Sequence, residues 1–410
     1  MWYRCTNDSC GYVIEGEEAY CPQCLSPMEE RKEEEMTAED WCQLGNFFSE
    51  QEDDERAFLC FQTSAREGCA WGMSNLGWCY EHGVGVEKEE KQAVWLYAQA
   101  ALLGYMPAYC NLGWCYETGI AGYKDMKQAV LCYQVAAQDQ VARAQRLLAH
   151  CYVDGDGVEQ NEEMAYILMK DAAQNGDLDA LYHLGTFYWN GIGVEVDYEQ
   201  AVCIFQQVVQ QVEDKDALFY LGYAYQHGTG AEKDEELAFS YYKRSANMGE
   251  LTSKNNLADM YYLGVGTNQN KKKALFWYEQ AAQEGNDDAC CTLGRLYQEG
   301  IDVERDEKKS MEYYKKACHS KTDNQGLECY LRLAYCYYCG IGEEKDEQKA
   351  EEVLVTGLRK MKPCEELTRT ILIRRNHTIA QGTIVSILKQ LLEFCHNEMI
   401  KKELNKFMKL

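Results

Sequence analysis

Residues Asn75 to Gly104 read NLGWCYEHGVGVEKEEKQAVWLYAQAALLG, and most of the chain repeats this pattern with small drifts. Take the small residue of the Leu-Gly pair as an anchor, with an aromatic three residues on and a glycine six on. The pattern then returns at Gly77, Gly113, Ala149, Gly185, Gly222, Ala258, Gly294 and Ala334, at spacings of 36, 36, 36, 37, 36, 36 and 40 residues. A degenerate earlier copy, anchored at Gly45 with Phe48 as its aromatic, precedes Gly77 by 32 residues. A fixed period of this length marks stacked helical hairpins, each unable to bury its apolar face without its neighbours.

Within one copy, Leu76, Cys79 and Tyr80 fall on one face of a first helix, and Ala93, Tyr97, Ala100 and Ala101 on one face of a second. Both sets have helical period. The aromatic is Tyr in all eight full copies, from Tyr80 to Tyr337, and sixteen residues after each anchor stands a small residue, Ala93 to Ala350 with Ser310 the one serine. Small residues there let two helices approach closely. Gly83 and Gly85 end the first helix, because glycine accepts the left-handed backbone a helix stop uses, and the charged run Glu87 to Lys91 opens the second.

An LG pair, a Tyr three residues on, G-x-G, then a small residue and AA-x2-G, recurring together from about residue 37 to 360, resembles the Sel-one-like repeat family, relatives of the TPR. The resemblance implies an all-α fold, a right-handed α-solenoid of about nine helical hairpins, used as a protein-binding scaffold or adaptor. It names no partner.

The formal charge is −26 over 410 residues, and it is uneven. Residues 358–410 hold 11 Lys/Arg against 5 Asp/Glu, net +6, so the rest carries −32. An acidic body repels phosphate backbones, which argues against nucleic acid as a partner. No apolar run approaches a membrane span and the N-terminus lacks a signal-peptide pattern, so a cytoplasmic location is expected. Of the 21 cysteines, Cys79, Cys115, Cys151 and Cys336 share the position two after the anchor, where other copies carry Phe187, Ala224, Met260 and Leu296. A slot that accepts any apolar residue points to buried reduced thiols.

The first thirty residues stand outside the period. Cys5, Cys10, Cys21 and Cys24 form two pairs that can bring four thiolates to one tetrahedral metal. The stretch resembles a rubredoxin-like or zinc-ribbon module, with C-x4-C in place of the usual C-x2-C in the first pair. A single structural zinc in a small β module at 1–30 is the expectation, favoured over iron because no second redox centre is visible. The charge run Glu29 to Glu35 reads as a solvated linker, assigned to 31–36. The first hairpin, from Thr37, carries Asp40 where later copies have Ala, as expected of a terminal repeat with one face to water. Residues 361–410 include Ile384, Leu388, Leu391, Cys395 and Met399 at helical spacing and read as a C-terminal helical cap over a 37–360 solenoid.

A ligand is expected on the concave wall, which the first helices line. The side opposite Leu76, Cys79 and Tyr80 presents Asn75, Trp78 and His82, repeated as Asn111, Trp114 and Thr118, then His150 in the third full copy and Tyr223 in the fifth. Exposed aromatics beside side-chain amides suit recognition of an extended peptide. The resemblance makes Asn75 and Asn111 candidate backbone clamps, and Glu81 and Glu117 would favour a basic segment. The competing reading packs Trp78 and Trp114 between adjacent first helices. No constellation for catalysis is present: there is no GxxxxGK, HExxH or GxSxG, and the recurring GxG pairs are inter-helix turns. A non-enzymatic adaptor is therefore expected, with a redox- or metal-responsive role for the four-cysteine site as the alternative.

Overall fold

A computed structural model describes residues 2–5, 13–15, 28–31, 35–120, 122–319 and 327–360. It divides into two compact units, residues 1–204 and 205–410, each taken by itself below. Cys10, Cys21 and Cys24, the four-residue insertion near Lys321 and the cap at 361–410 lie outside the described residues.

Eighteen helices form hairpins among the described residues. In the first unit α1 (Ala38–Glu50) pairs with α2 (Asp54–Arg66), α3 (Ala70–His82) with α4 (Glu90–Leu102), and α5 (Met106–Thr118) with α6 (Met126–Gln138). There follow α7 (Ala142–Asp154) with α8 (Glu162–Gln174), then α9 (Leu178–Asn190) and α10 (Tyr198–Gln211). The second unit pairs α11 (Lys215–His227) with α12 (Glu235–Asn247), and α13 (Leu251–Leu263) with α14 (Lys271–Gln283). It ends on α15 (Asp287–Glu299) with α16 (Glu307–His319) and α17 (Leu327–Cys339) with α18 (Glu347–Lys360).

Local chemistry sets these limits. The first helices α3, α5, α7, α9, α11, α13 and α15 all stop on a glycine with a left-handed backbone, Gly83 in the template at φ +74. Most second helices open on an Asp or Asn that accepts a first-turn N–H, as Asp125, Asn161, Asp234 and Asn270 do. The polar residue Asp40 does not face water. It is buried, accepts the Thr37 N–H at 2.9 Å, and its own N–H is taken by Thr37 Oγ1 at 3.2 Å. This capping box closes the start of α1, so Asp40 is kept inside by the hydrogen bonds it completes.

The anchor's partner is the residue twenty positions on. A Cβ added to Gly113 would lie 2.5 Å from the Tyr133 ring, and Gly77, Gly222 and Gly294 meet Tyr97, Tyr242 and Tyr314 the same way. These tyrosines are fully buried, as are all the small residues at the sixteenth position, Ser310 included. Ser310 donates to the Gly294 carbonyl at 2.7 Å, so its hydroxyl is satisfied inside.

The second glycine of each GxG has a different task. Gly85, Gly157, Gly193, Gly266 and Gly342 lie so close to the preceding second helix that an added Cβ would fall 2.0 to 2.4 Å from a backbone carbonyl oxygen of its first turn. The inter-helix turn thus also docks one hairpin on the one before. In the seventh full copy Asp302 takes this place at φ +61 and accepts from Tyr262 Oη at 3.1 Å and Lys271 Nζ at 2.8 Å.

Ahead of α1, three short strands, β1 (Trp2–Cys5), β2 (Val13–Glu15) and β3 (Met28–Arg31), form an antiparallel sheet in the order β2-β1-β3. β2 lies against α1. The strand β3 takes in Glu29, Glu30 and Arg31, the start of the charge run that composition assigned to a linker. Pairing with β1, which sets Arg4 opposite Glu29, accounts for the difference. No described helix is long and apolar enough to cross a membrane.

Candidate functional site

In the first unit the candidate residues fall on consecutive first helices α3, α5 and α7, and hydrogen bonds tie these helices together. Asn75 Nδ2 on α3 donates to Asn46 Oδ1 on α1 at 3.0 Å and to Cys42 Sγ at 3.5 Å. Asn111 Nδ2 on α5 donates to Ser74 Oγ on α3 at 3.3 Å, and Arg143 of α7 donates to Asn111 Oδ1 at 3.2 Å. The two asparagines therefore sit on the seam between neighbouring first helices, half-buried, with part of their capacity used inside the protein. An Asn side chain offers two donors and two acceptor lone pairs.

Trp78 is 42% exposed, and its ring stacks on His82 at 4.7 Å. The His82 imidazole in turn meets the Trp78 carbonyl at 3.0 Å. Trp114 is half-buried on α5, where Thr118 donates to its carbonyl at 2.8 Å.

Glu81 and Glu117 take a different course from the one expected. Each accepts a hydrogen bond of 2.6 Å from the buried tyrosine of its own hairpin, Tyr97 for Glu81 and Tyr133 for Glu117, and Glu81 is buried outright. Burial first, then the carboxylate beside each phenol, push both tyrosines well above their ordinary value. Residues four positions beyond the anchor turn inward because the tyrosine hydroxyl at the end of the packed ring needs an acceptor. Gln226 and Gln298 do the same for Tyr242 and Tyr314 in the second unit.

His150 on α7 meets His183 on α9 edge to face at 4.6 Å, and Tyr182 flanks His183 at 5.2 Å. Burial, helped by Arg146, lowers His150; burial takes His183 down to about 4, helped by His150 and then Arg146. Arg146 is held by Asp177 at 3.0 Å and Asp179 at 3.1 Å. Cys151, next to His150 in sequence, is buried with its thiol pushed up to about 12, and so is unsuited to a nucleophile. Cys79 and Cys115 are likewise buried and pushed up to about 12 by burial. Tyr223 belongs to the second unit, half-buried, with the His227 ring 4.4 Å away.

Arg143, Arg146 and His183 complete this seam and were missed by the sequence reading. The signal for His183 was present: it holds the position of Asn75 and Asn111, two before the anchor, in the fourth full copy. The arginines lack one: at the position of Arg143 other copies carry acids, Asp179, Asp216, Asp288 and Glu328, and at that of Arg146 they carry no charge.

At the N-terminus Cys5 is the one of the four cysteines that lies among the described residues. Cys5 ends β1 and pairs with Met28, the start of β3, while Arg4 pairs with Val13, the start of β2. Elsewhere among the described residues no group of three or more His, Cys, Asp or Glu is placed to hold a metal.

A family model described as Sel1 repeat matches nine segments of the chain: residues 38–69, 72–105, 107–140, 142–177, 178–207, 215–250, 252–286, 287–321 and 327–352. Among solved structures, the chain is similar to c5321, a protective antigen of uropathogenic Escherichia coli strains displaying an SLR fold. The two are 24% identical with a TM-score of 0.61, over 78% of this chain and 76% of that one. A Sel1 repeat protein from Oxalobacter formigenes is 31% identical with a TM-score of 0.52, over 58% of this chain and 94% of its own. No curated protein matches.

Proposed function

The chain belongs to the Sel1 repeat family, and we propose that it is a non-catalytic scaffold that holds a segment of another protein along the concave wall of its first helices. Trp78 carries this reading: a large ring, 42% exposed, on the helix that also bears Asn75. A solvated helix face has no need of such a ring, whereas partner recognition does. Trp114 and Asn111 repeat the arrangement one hairpin on, His150 continues it, and Tyr223 is its counterpart in the second unit.

Asn75 spends its Nδ2 on Asn46 and Cys42, so its part in this reading is that of a side-chain amide acceptor for an extended backbone. Because Glu81 and Glu117 are engaged by Tyr97 and Tyr133, recognition rests on aromatic and amide contacts rather than on a basic partner. The test is affinity capture with wild type and with Trp78→Ala/Trp114→Ala, side by side. Loss of a specific partner with unchanged helicity and melting supports the reading; a large loss of stability would assign both rings to packing.

For the N-terminal sheet the reading is a structural zinc held by Cys5, Cys10, Cys21 and Cys24. The two cysteine pairs, Cys5 with Cys10 and Cys21 with Cys24, support it by their spacing in the sequence. Four thiolates satisfy a closed tetrahedral site, which has no position for substrate. Metal analysis of the intact protein should find one zinc per chain, and a visible iron-thiolate absorption would refute zinc. If zinc loss under mild oxidant changed partner capture, the site would be a regulator rather than a staple.

A further inference from the structure

The second helices of the first unit carry a feature that the first-helix site does not use. Leu59 on α2, Trp95 on α4, Leu131 on α6 and Ile167 on α8 occupy one repeat position, two before the residue that packs on the anchor, and are 56, 55, 54 and 50% exposed. Cys203 on α10 continues the position and is also exposed. Leu102 lies seven residues after Trp95 and Val135 four after Leu131, on the same helix faces, at 76 and 39% exposure. The position is not apolar by repeat rule, since in the second unit it holds Ser240, Phe276, Glu312 and Glu352.

The centre of this stripe, on α4 and α6, is nearly uncharged. Helices α4 and α6 together hold only Glu90, Lys91 and Lys127 as ionisable acidic or basic side chains, in a chain of net charge −26. Gln99 lies one turn beyond Trp95, while at the two ends of the stripe charges of both signs flank the apolar side chains, Glu55 and Arg56 beside Leu59 and Glu163, Lys170 and Asp171 beside Ile167.

We propose that this stripe is a homodimer interface, with a second copy of the same chain as its occupant. Three observations select that occupant. Two copies each carrying −26 repel one another over most surfaces, and the centre of this face, on α4 and α6, is where the repulsion is small. The apolar side chains recur once per hairpin, so the surface that matches their spacing is another stripe of the same period. A two-fold axis between α4 and α6 sets Trp95 of one copy against Leu131 of the other, and Leu59 against Ile167. Such a contact is isologous and closes at two subunits. The six side chains Leu59, Trp95, Leu102, Leu131, Val135 and Ile167 expose on the order of 600 Å², the upper range for a patch on a monomer and near the roughly 800 Å² per partner of a stable interface.

The test is the solution mass of the full chain, by light scattering or sedimentation equilibrium between 1 and 100 µM in steps of about tenfold. The wild type is expected at twice 47.1 kDa. Trp95→Glu/Leu131→Glu is expected to run as a monomer, with dimerisation weakened at least 100-fold and far-UV circular dichroism unchanged. Phe276→Glu, in the second unit, should leave the dimer intact. Should the first variant misfold, Leu59→Glu/Ile167→Glu tests the outer contacts in its place. A monomeric wild type at the highest concentration overturns the proposal, as does a dimer that survives either paired substitution.

Discussion

The glycines of the first unit allow backbone strain to be separated from the docking of one hairpin on another. Gly176 and Gly193 both have positive φ, +91 and +65, but an added Cβ at Gly176 meets nothing within 4 Å while one at Gly193 falls 2.0 Å from the Glu162 carbonyl oxygen. Gly176→Ala therefore costs only left-handed strain of about 1–2 kcal/mol, partly offset by the stiffer unfolded chain, for a net of about 0.5–1 kcal/mol. Gly193→Ala adds a collision with backbone that no rotamer change relieves. The turn must move off the first turn of α8, so the overpacking penalty of about 1–3 kcal/mol adds to that net strain and the total reaches about 1.5–4 kcal/mol. Urea unfolding followed by circular dichroism measures both, with hydrogen exchange over residues 160–165 reporting whether the loss is local to the hairpin junction. Equal destabilisation by the two substitutions, or no added exchange at the start of α8, would refute the idea that the second glycine docks consecutive hairpins.

Tyr97→Phe removes the hydrogen bond to a buried carboxylate and should cost about 1–3 kcal/mol, read from chemical unfolding; a neutral result would mean that water replaces the phenol. The histidine pair makes the first unit acid-sensitive. Burial depresses His183 from 6.5 to about 4 and also lowers His150, so the unfolded chain takes up protons that the folded chain resists. Stability is full above pH 6.5, falls as pH drops from there towards 4, and should fall less in His183→Gln when melting is compared across that window. In native protein Cys79, Cys115 and Cys151 should resist a maleimide that labels the exposed Cys339, and mass spectrometry of labelled peptides would expose any error in their burial.

Much of the repeat was legible in the sequence because its signals are local. Glycine stops with positive φ, small residues where helices touch, and Asp or Asn caps act within one or two turns of chain, so their spacing alone marks hairpins. On the first helices Trp78 lies exposed, while Asn75, Asn111, Trp114 and Tyr223 are half-buried. What an exposed-looking position does across hairpins was not legible. The pattern is equally satisfied by an Asn75 facing solvent and by one bonded to Asn46 on the preceding hairpin. The inward turn of Glu81 depends on where the Tyr97 hydroxyl ends, sixteen residues away in sequence.

Asp40 shows the same limit on a smaller scale. Its polarity suggested water, and its burial follows from the hydrogen bonds exchanged with Thr37. The stripe of Leu59, Trp95, Leu131 and Ile167 escaped the sequence for a related reason: each points about 200° away from the residue that packs on the anchor, and whether another helix covers that side is not written in the period. Periodicity determined the hairpins, their caps and their small-residue contacts, because these are short-range consequences of backbone geometry. Tertiary packing alone decided which side chains of the repeated faces are consumed between hairpins and which remain free for a partner, because that depends on atoms about one repeat apart in sequence meeting within a few ångströms.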